Sequence, residues 1–553
     1  MSKNKINKKN TEETAEIHDL LRLGEGSKRS LLLSLLAVMT VVGSGSVCQA
    51  QNPSGVPRIV VSVLIDQLRS DYLEAFMPLY GNDGFRRLLT EGRVYPQAEY
   101  PMNRPDLASA AASFASGSAP SSHGIVGRKW LDRETVRPVF CLTDNNCTGL
   151  GGTDDKFSPV NLAVSTIGDE LKVATEGKAQ VFSLGGDAEG AIYMAGHAAD
   201  GALWIDGESG RWCTTSYYGT VPSWMAVRSE YVGLDKTIDD TVWKPSSDLV
   251  GNFSYFLTGG MKRPFSHKFK GDNKYRDFKT SGLVNGEIAK AAKGCVEATT
   301  IGADATTDYL SVTLYAGTFR HKPAGEVAME LQDTYVRLDK AMADIIASVD
   351  KKVGKGNALY VVTSTGYVDE QSTDLSKYRI PTGTFDMKRA AALLNLYLAA
   401  VYGQGQYVEA SFGTQLYIDH KLVEEKQINM GELLDRSQDL LLQLSGVKDV
   451  FTSQRLLQGA WTPGISRIRA GYYPRFSGDI TIQVASGWHY VNNDNREEQL
   501  VRESYIPYPI IFYGFNVESR KIDTPVGVER IAPTLSKAMR IRAPNACGEA
   551  PLF

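Results

Sequence analysis

The sequence predicts an α/β protein built on a large, mostly parallel central sheet with helices on both faces. Three observations lead there. Short, continuously apolar runs recur along the chain, helix-period segments separate them, and the first run ends in a carboxylate. Strands that alternate with helices from end to end form crossover units, and a sheet covered on both sides needs strands that are apolar on both faces.

Residues 57–66, Pro-Arg-Ile-Val-Val-Ser-Val-Leu-Ile-Asp, give the first strand, and comparable runs lie at 179–184, 309–315, 358–363 and 509–513. Helical patterns cover 84–92, 106–116, 325–352, 386–402, 430–444 and 530–539. Chemistry in such folds collects at the carboxyl ends of the strands, which makes Asp66 a candidate site residue. Its alternative role is to cap a turn or to pair with Arg69. Residues from about 200 to 300 break the alternation. Trp204, Trp212, Trp224 and Trp243 fall there among Gly, Ser and Tyr, which predicts an inserted aromatic- and Gly-rich cap. A second insertion is expected at about 404–480.

Composition excludes several classes. With 553 residues, 42% hydrophobic and 22% charged, the chain is neither disordered, collagenous nor a coiled coil. Its 60 basic and 63 acidic residues give a net charge of -3, which disfavours nucleic acid as a partner. Lys28 and Arg29 precede an apolar run at 31–42, then small residues up to Ala50, the pattern of a signal peptide over 1–50. The run falls short of the roughly 20 residues of a membrane span, so the mature chain, 51–553, is expected in the periplasm or outer envelope with no transmembrane span. Val47 before Cys48 departs from the lipid-attachment pattern. Five of the six cysteines lie beyond residue 50, so at least one of these five lacks a partner within the chain. Cys141 and Cys147 enclose the turn-rich Leu-Thr-Asp-Asn-Asn, and an oxidising compartment is expected to join them.

Several motifs go further. They are Val-Leu-Ile-Asp-Gln-Leu-Arg-Ser-Asp-Tyr-Leu at 63–73, Gly-Phe-Arg-Arg-Leu at 84–88, Gly-Ser-Ala-Pro-Ser-Ser-His-Gly-Ile at 117–125, Asp-Thr-Tyr-Val-Arg-Leu-Asp at 333–339, and the closing run at 530–541. Over about 57–553 the chain resembles the alkaline phosphatase superfamily, in particular its secreted bacterial phosphomonoesterases and nucleotide pyrophosphatase/phosphodiesterases. The resemblance implies phosphoester hydrolysis with two zinc ions and a Thr or Ser nucleophile, the metals clamping the attacking and leaving oxygens. Lys, Arg or Asn donors would hold the phosphoryl group.

Carried over position by position, that machinery is largely missing. Asp66 matches the first metal-binding Asp, but the nucleophile position is Leu107, which cannot attack phosphorus. Ser109, two positions on, is the remaining hydroxyl candidate. Arg128 stands for the Asn donor, and Asp187 and Glu189 stand for the phosphate-gripping Lys and Arg. Thr365 and Gly366 replace the Asp-His pair of one metal. Thr318 replaces the Asp of the other, with His321 one position early, and His489 matches the last ligand. Asp66 and His489 persist, with His321 a third candidate, against the three or four ligands that each zinc takes.

The expected function is therefore a catalytically inactive family member without a cofactor, exported and acting by binding an envelope protein, a glycan or a small ligand. The alternative is a zinc-dependent phosphomonoesterase or phosphodiesterase with a rebuilt centre, drawing ligands from His197, His321, Asp369 or Glu370. A third reading uses Asp187 and Glu189 as general acid and base, their spacing placing both on one face of a strand. Because a buried carboxylate without a partner is costly, Arg128 or Lys129 is expected to pair with Asp66, Asp187 or Glu189.

Overall fold

A computed structural model describes residues 55–553 apart from 252–263, 369–381, 460–461, 493–496 and 501–505. The segment read as a signal peptide, with Cys48, and Asp369 and Glu370 lie outside the described residues.

The central sheet contains β1 (Ile59–Asp66), β2 (Arg93–Tyr95), β3 (Gly149–Leu150), β4 (Val181–Gly185), β5 (Gly201–Ile205), β6 (Trp212–Thr215), β7 (Asp308–Tyr315), β8 (Ala358–Ser364), β9 (Ile510–Gly514) and β10 (Arg520–Lys521). Their order is β10-β2-β9-β8-β1-β7-β4-β5-β6-β3. The central five, β8-β1-β7-β4-β5, run parallel. β9 is antiparallel to β8, and β6 to β5. All five apolar runs form strands, the last of them as the antiparallel β9.

The helices that position the rest include α1 (Phe85–Glu91), α2 (Leu107–Ser116), α3 (Ala188–Ala195), α4 (Leu283–Ala298), α5 (Ala328–Val353), α6 (Met387–Tyr402), α7 (Met430–Leu441) and α8 (Ile531–Met539). Strand alternation divides β1 between two cores. Val61, Val63 and Ile65 pack with residues of α4 and α5, whereas Val60 and Leu64 pack with residues of α2, α3 and α8. The six apolar residues of β1 are each at most 1% exposed, and each stabilises the fold by about 1.5–3 kcal/mol. That anchorage is large enough to hold an unfavourable carboxylate, Asp66, at the strand's end.

Two of the expected insert boundaries need correction. Trp204 and Trp212 belong to β5 and β6, and α4 packs against α5 and β7, so the insert is confined between β6 and α4. The run Ala-Leu-Trp-Ile at 202–205 is too short to separate from a loop by periodicity. Trp243 ties the insert down: its indole Nε1–H donates to Asp333 at 2.6 Å, and Asp333, fully buried, also accepts from the Ser246 N–H and the Arg337 guanidinium at 2.6 Å each. The second expected insertion is an ordered α+β unit. Strands at Val408–Phe412, Gln415–Ile418, Ile480–Val484 and Val447–Thr452 form an antiparallel sheet in that order, with α6 and α7 sharing its core through Leu394, Leu398, Leu433 and Leu434.

The expected Cys141–Cys147 disulfide is absent; both are buried free thiols. Asp144 closes this loop instead. Its carboxylate accepts from the Ser158 hydroxyl at 2.7 Å and the Asn146 N–H at 3.0 Å, and the Cys147 thiol points to it at 3.4 Å. Cys141 lies in the α2/α3 core, where burial pushes its thiol well up.

Candidate functional site

The carboxyl ends of β1, β7, β4 and β8 bring Asp66, the 316–321 loop, Asp187 and Thr365-Gly366 to one rim of the sheet, as the crossover topology requires. Asp66 is 7% exposed. Its Oδ1 accepts from the Thr365 hydroxyl at 2.9 Å and its Oδ2 from the Gln67 side-chain amide at 3.1 Å. The Thr365 oxygen in turn accepts the Gln67 backbone N–H at 2.9 Å, and Gln67 holds a left-handed φ of 63°. Burial raises the Asp66 carboxyl to about 6, against the lowering effect of these hydrogen bonds, and Asp187 adds a smaller upward push.

A side chain at Gly366 would not fit. At its φ of +74°, a Cβ would lie 2.7 Å from the ring of Tyr100 and 3.1 Å from that of Tyr508. The Tyr100 hydroxyl is fixed to the Ser364 carbonyl at 2.8 Å. Aromatic rings therefore fill the space that a side chain at 366 would enter.

The nucleophile position is equally occupied. Asp106 caps α2, accepting from the Ser109 N–H at 2.9 Å and the Ser109 hydroxyl at 2.8 Å, while Ser109 Oγ accepts from the Asp106 N–H at 3.0 Å. Ser109, 1% exposed, is thus one half of a capping box, and Leu107, 4% exposed, is a core residue of the first turn. Ser113 pairs with His123 at 3.0 Å, and burial pushes the His123 imidazole down to about 3, so it stays neutral. His123 Nδ1 accepts the Ile125 N–H at 3.1 Å, so the neutral ring carries its proton on Nε2 and donates to Ser113 rather than taking its proton.

Two cations answer the inverted charges. Arg128 Nε meets Glu189 Oε1 at 2.5 Å, with Glu189 3% and Arg128 53% exposed. This is the ion pair expected from the sequence, and Glu189 raises the Arg128 guanidinium further still. The Arg128 N–H donates to Asp106 at 2.6 Å, which locks its backbone to the α2 cap. Lys279, from the end of the insert, meets Asp187 at 2.6 Å. Burial alone would raise the Asp187 carboxyl, but Lys279 and Arg128 outweigh it and hold it below the usual range, with His321 adding to them. Asp187 and Glu189 do not share a strand face: Asp187 is the N-cap of α3 and Glu189 lies in its first turn, where the helix dipole favours negative charge. Sequence reasoning missed Lys279, which lies far from Asp187 along the chain and belongs to no motif.

Of the remaining candidates, Thr318 and His321 lie on the same rim, in the loop that follows β7. Thr318 is buried, its hydroxyl without a partner among the described residues, and His321 follows with a left-handed φ of 54°. His489 begins a short strand, His489–Asn492, paired with Thr384–Asp386 in a separate small sheet. Both ring nitrogens of His197 are engaged, Nδ1 with Asp169 at 3.0 Å and Nε2 with the Leu162 carbonyl at 3.1 Å. Among the described residues no three His, Cys, Asp or Glu side chains gather as a metal would require. Asp66 spends both oxygens on Thr365 and Gln67, while Asp187 Oδ1 meets Lys279 and Glu189 Oε1 meets Arg128. This donor set does not fit a pair of zinc ions.

Comparison with known proteins places the fold. The family model described as type I phosphodiesterase / nucleotide pyrophosphatase matches residues 60–506. The chain is 28% identical to alkaline phosphatase PafA of Elizabethkingia meningoseptica, over 94% of this chain and 98% of that one. It is also 28% identical to alkaline phosphatase PhoV of Synechococcus elongatus, over 88% and 91%. A crystal structure of wild-type PafA superimposes with a TM-score of 0.77 at 25% identity, covering 90% of this chain and 98% of that one. The chain belongs to the type I phosphodiesterase / nucleotide pyrophosphatase family, within the alkaline phosphatase superfamily.

Proposed function

We propose that this chain is a family member that no longer hydrolyses phosphoesters and acts by binding at the cell envelope. The observation that carries this reading is the rebuilding around Asp66. Where a metal-binding pair would stand, Thr365 hydrogen-bonds Asp66 and the rings of Tyr100 and Tyr508 close over Gly366. A ligand lost by one substitution leaves a hole that a water or metal can enter, whereas here the space at 366 is filled and Asp66 and Thr365 are hydrogen-bonded. The acids at 187 and 189 add repulsion toward an incoming phosphoryl group, moderated by Arg128 and Lys279. The export pattern of residues 28–50 supports the envelope as the place of action.

Turnover tests this reading. With p-nitrophenyl phosphate and bis-p-nitrophenyl phosphate in excess zinc, the purified mature chain is expected to show no hydrolysis above the buffer rate. Turnover that rises with zinc and falls on substitution of Asp66 would establish the rebuilt hydrolase instead.

A further inference from the structure

A cleft of about 560 Å3 opens on the same rim, between the main sheet and the four-stranded unit, with Gly366, Tyr100 and Tyr508 in its lining. That is within the roughly 300–1,000 Å3 of small-ligand sites. Its floor is aromatic and rigid: Trp130 stacks on Phe476 at 4.4 Å, and Tyr100 lies against Tyr508 at 5.8 Å. One wall is the outer face of the small sheet. Along Ile480–Val484, Ile480, Ile482 and Val484 are buried in the small core, so the alternation turns Thr481 and Gln483 to the cleft. Gln415 sits opposite Thr481 in register.

The charge of this cleft runs against that of the chain. The whole sequence carries -3, yet the cleft is lined by Arg104, Lys129, Lys448 and Arg467 against a single acid, Glu99, which is paired with Arg467. Arg104 and Lys129 are exposed, and neither forms an ion pair among the described residues. Side-chain amides and hydroxyls on one wall with cations on the other match a ligand that is both hydroxyl-rich and anionic. A phosphate alone would leave the amide wall unused, and a neutral sugar would leave the cations unused.

We infer that this cleft binds an acidic oligosaccharide, its carboxylates or sulfates meeting Arg104 and Lys129 and its hydroxyls meeting Thr481, Gln483 and Gln415. The inference rests on the binding reading above and names the ligand class and the place. It is tested by calorimetric titration of the mature chain with a galacturonate hexasaccharide, a heparin-derived hexasaccharide and neutral chitohexaose, with phosphoester turnover read on the same sample. At least one acidic sugar is expected to bind, more weakly as salt rises, and chitohexaose is not. R104E/K129E, checked for folding by circular dichroism, is expected to weaken binding about ten-fold or more, while R104K/K129R keeps it. Equal binding of chitohexaose, or unchanged binding by R104E/K129E, overturns the inference. Binding of none of the sugars without turnover overturns this inference alone, and zinc-dependent turnover overturns the non-hydrolytic reading.

Discussion

Asp66→Asn is expected to stabilise the protein at pH 8 by about 2–3 kcal/mol, an advantage that fades as the pH falls through 6 toward 4. The sign follows from the direction of the shift. Burial raises the folded-state carboxyl to about 6 from an ordinary 3.8, so the folded chain prefers the protonated form. Above pH 6 the ionised carboxylate costs stability, and that cost is relieved as protonation proceeds between 6 and 4. An amide is neutral throughout, and it can accept from Gln67 while donating to the Thr365 oxygen. Urea unfolding of both proteins across this pH range reads the difference directly. In a metal-loaded enzyme the same substitution would remove a ligand and destabilise the folded state, so a loss at pH 8 would contradict the account.

Arg128→Ala is expected to cost about 1–3 kcal/mol at pH 7. Glu189 is 3% exposed, and removing Arg128 leaves a nearly buried carboxylate without its counter-charge. The cost stays below that of breaking a fully buried pair, because the Arg128 side chain is 53% exposed and water already screens it. R128A/E189Q is expected to recover most of the loss, since the charge that needed a partner is gone. The same unfolding experiment decides: a single variant within about 0.5 kcal/mol of the parent would show that the pair is incidental.

Much of the fold was legible because its signals are local. β1, β7 and β8 are continuous β-branched or apolar runs, and α2 announces itself through Asp106 and an alanine-rich first turn. β5 and β6 were hidden because a four-residue apolar run with tryptophans reads equally well as the core of an insert. At the site, the sequence put Leu107, Thr365, Gly366 and the acids at 187 and 189 at the family's functional positions by register alone. It could not expose what surrounds them. Tyr100 fills the space above Gly366 and Lys279 reaches Asp187 only through the packing of distant segments, and no spacing rule links those pairs. The Cys141–Cys147 expectation failed for a related reason: two cysteines flanking a turn specify proximity along the chain, whereas Asp144 supplies the bonds that close the loop.

The ion pairs and the filled pocket share one physical logic. Uncompensated negative charge and empty volume are both costly in a packed interior. Here Arg128 and Lys279 supply the positive charge, while Tyr100 and Tyr508 supply the volume. Both devices stabilise the rim of the sheet.

Zinc content of the purified mature chain, measured by inductively coupled plasma mass spectrometry after exposure to excess zinc and dialysis, tests the non-hydrolytic reading most directly. Below about 0.2 zinc per chain is predicted, because no described cluster offers the three or four ligands a site needs. About two zinc per chain, retained through dialysis, would contradict the account.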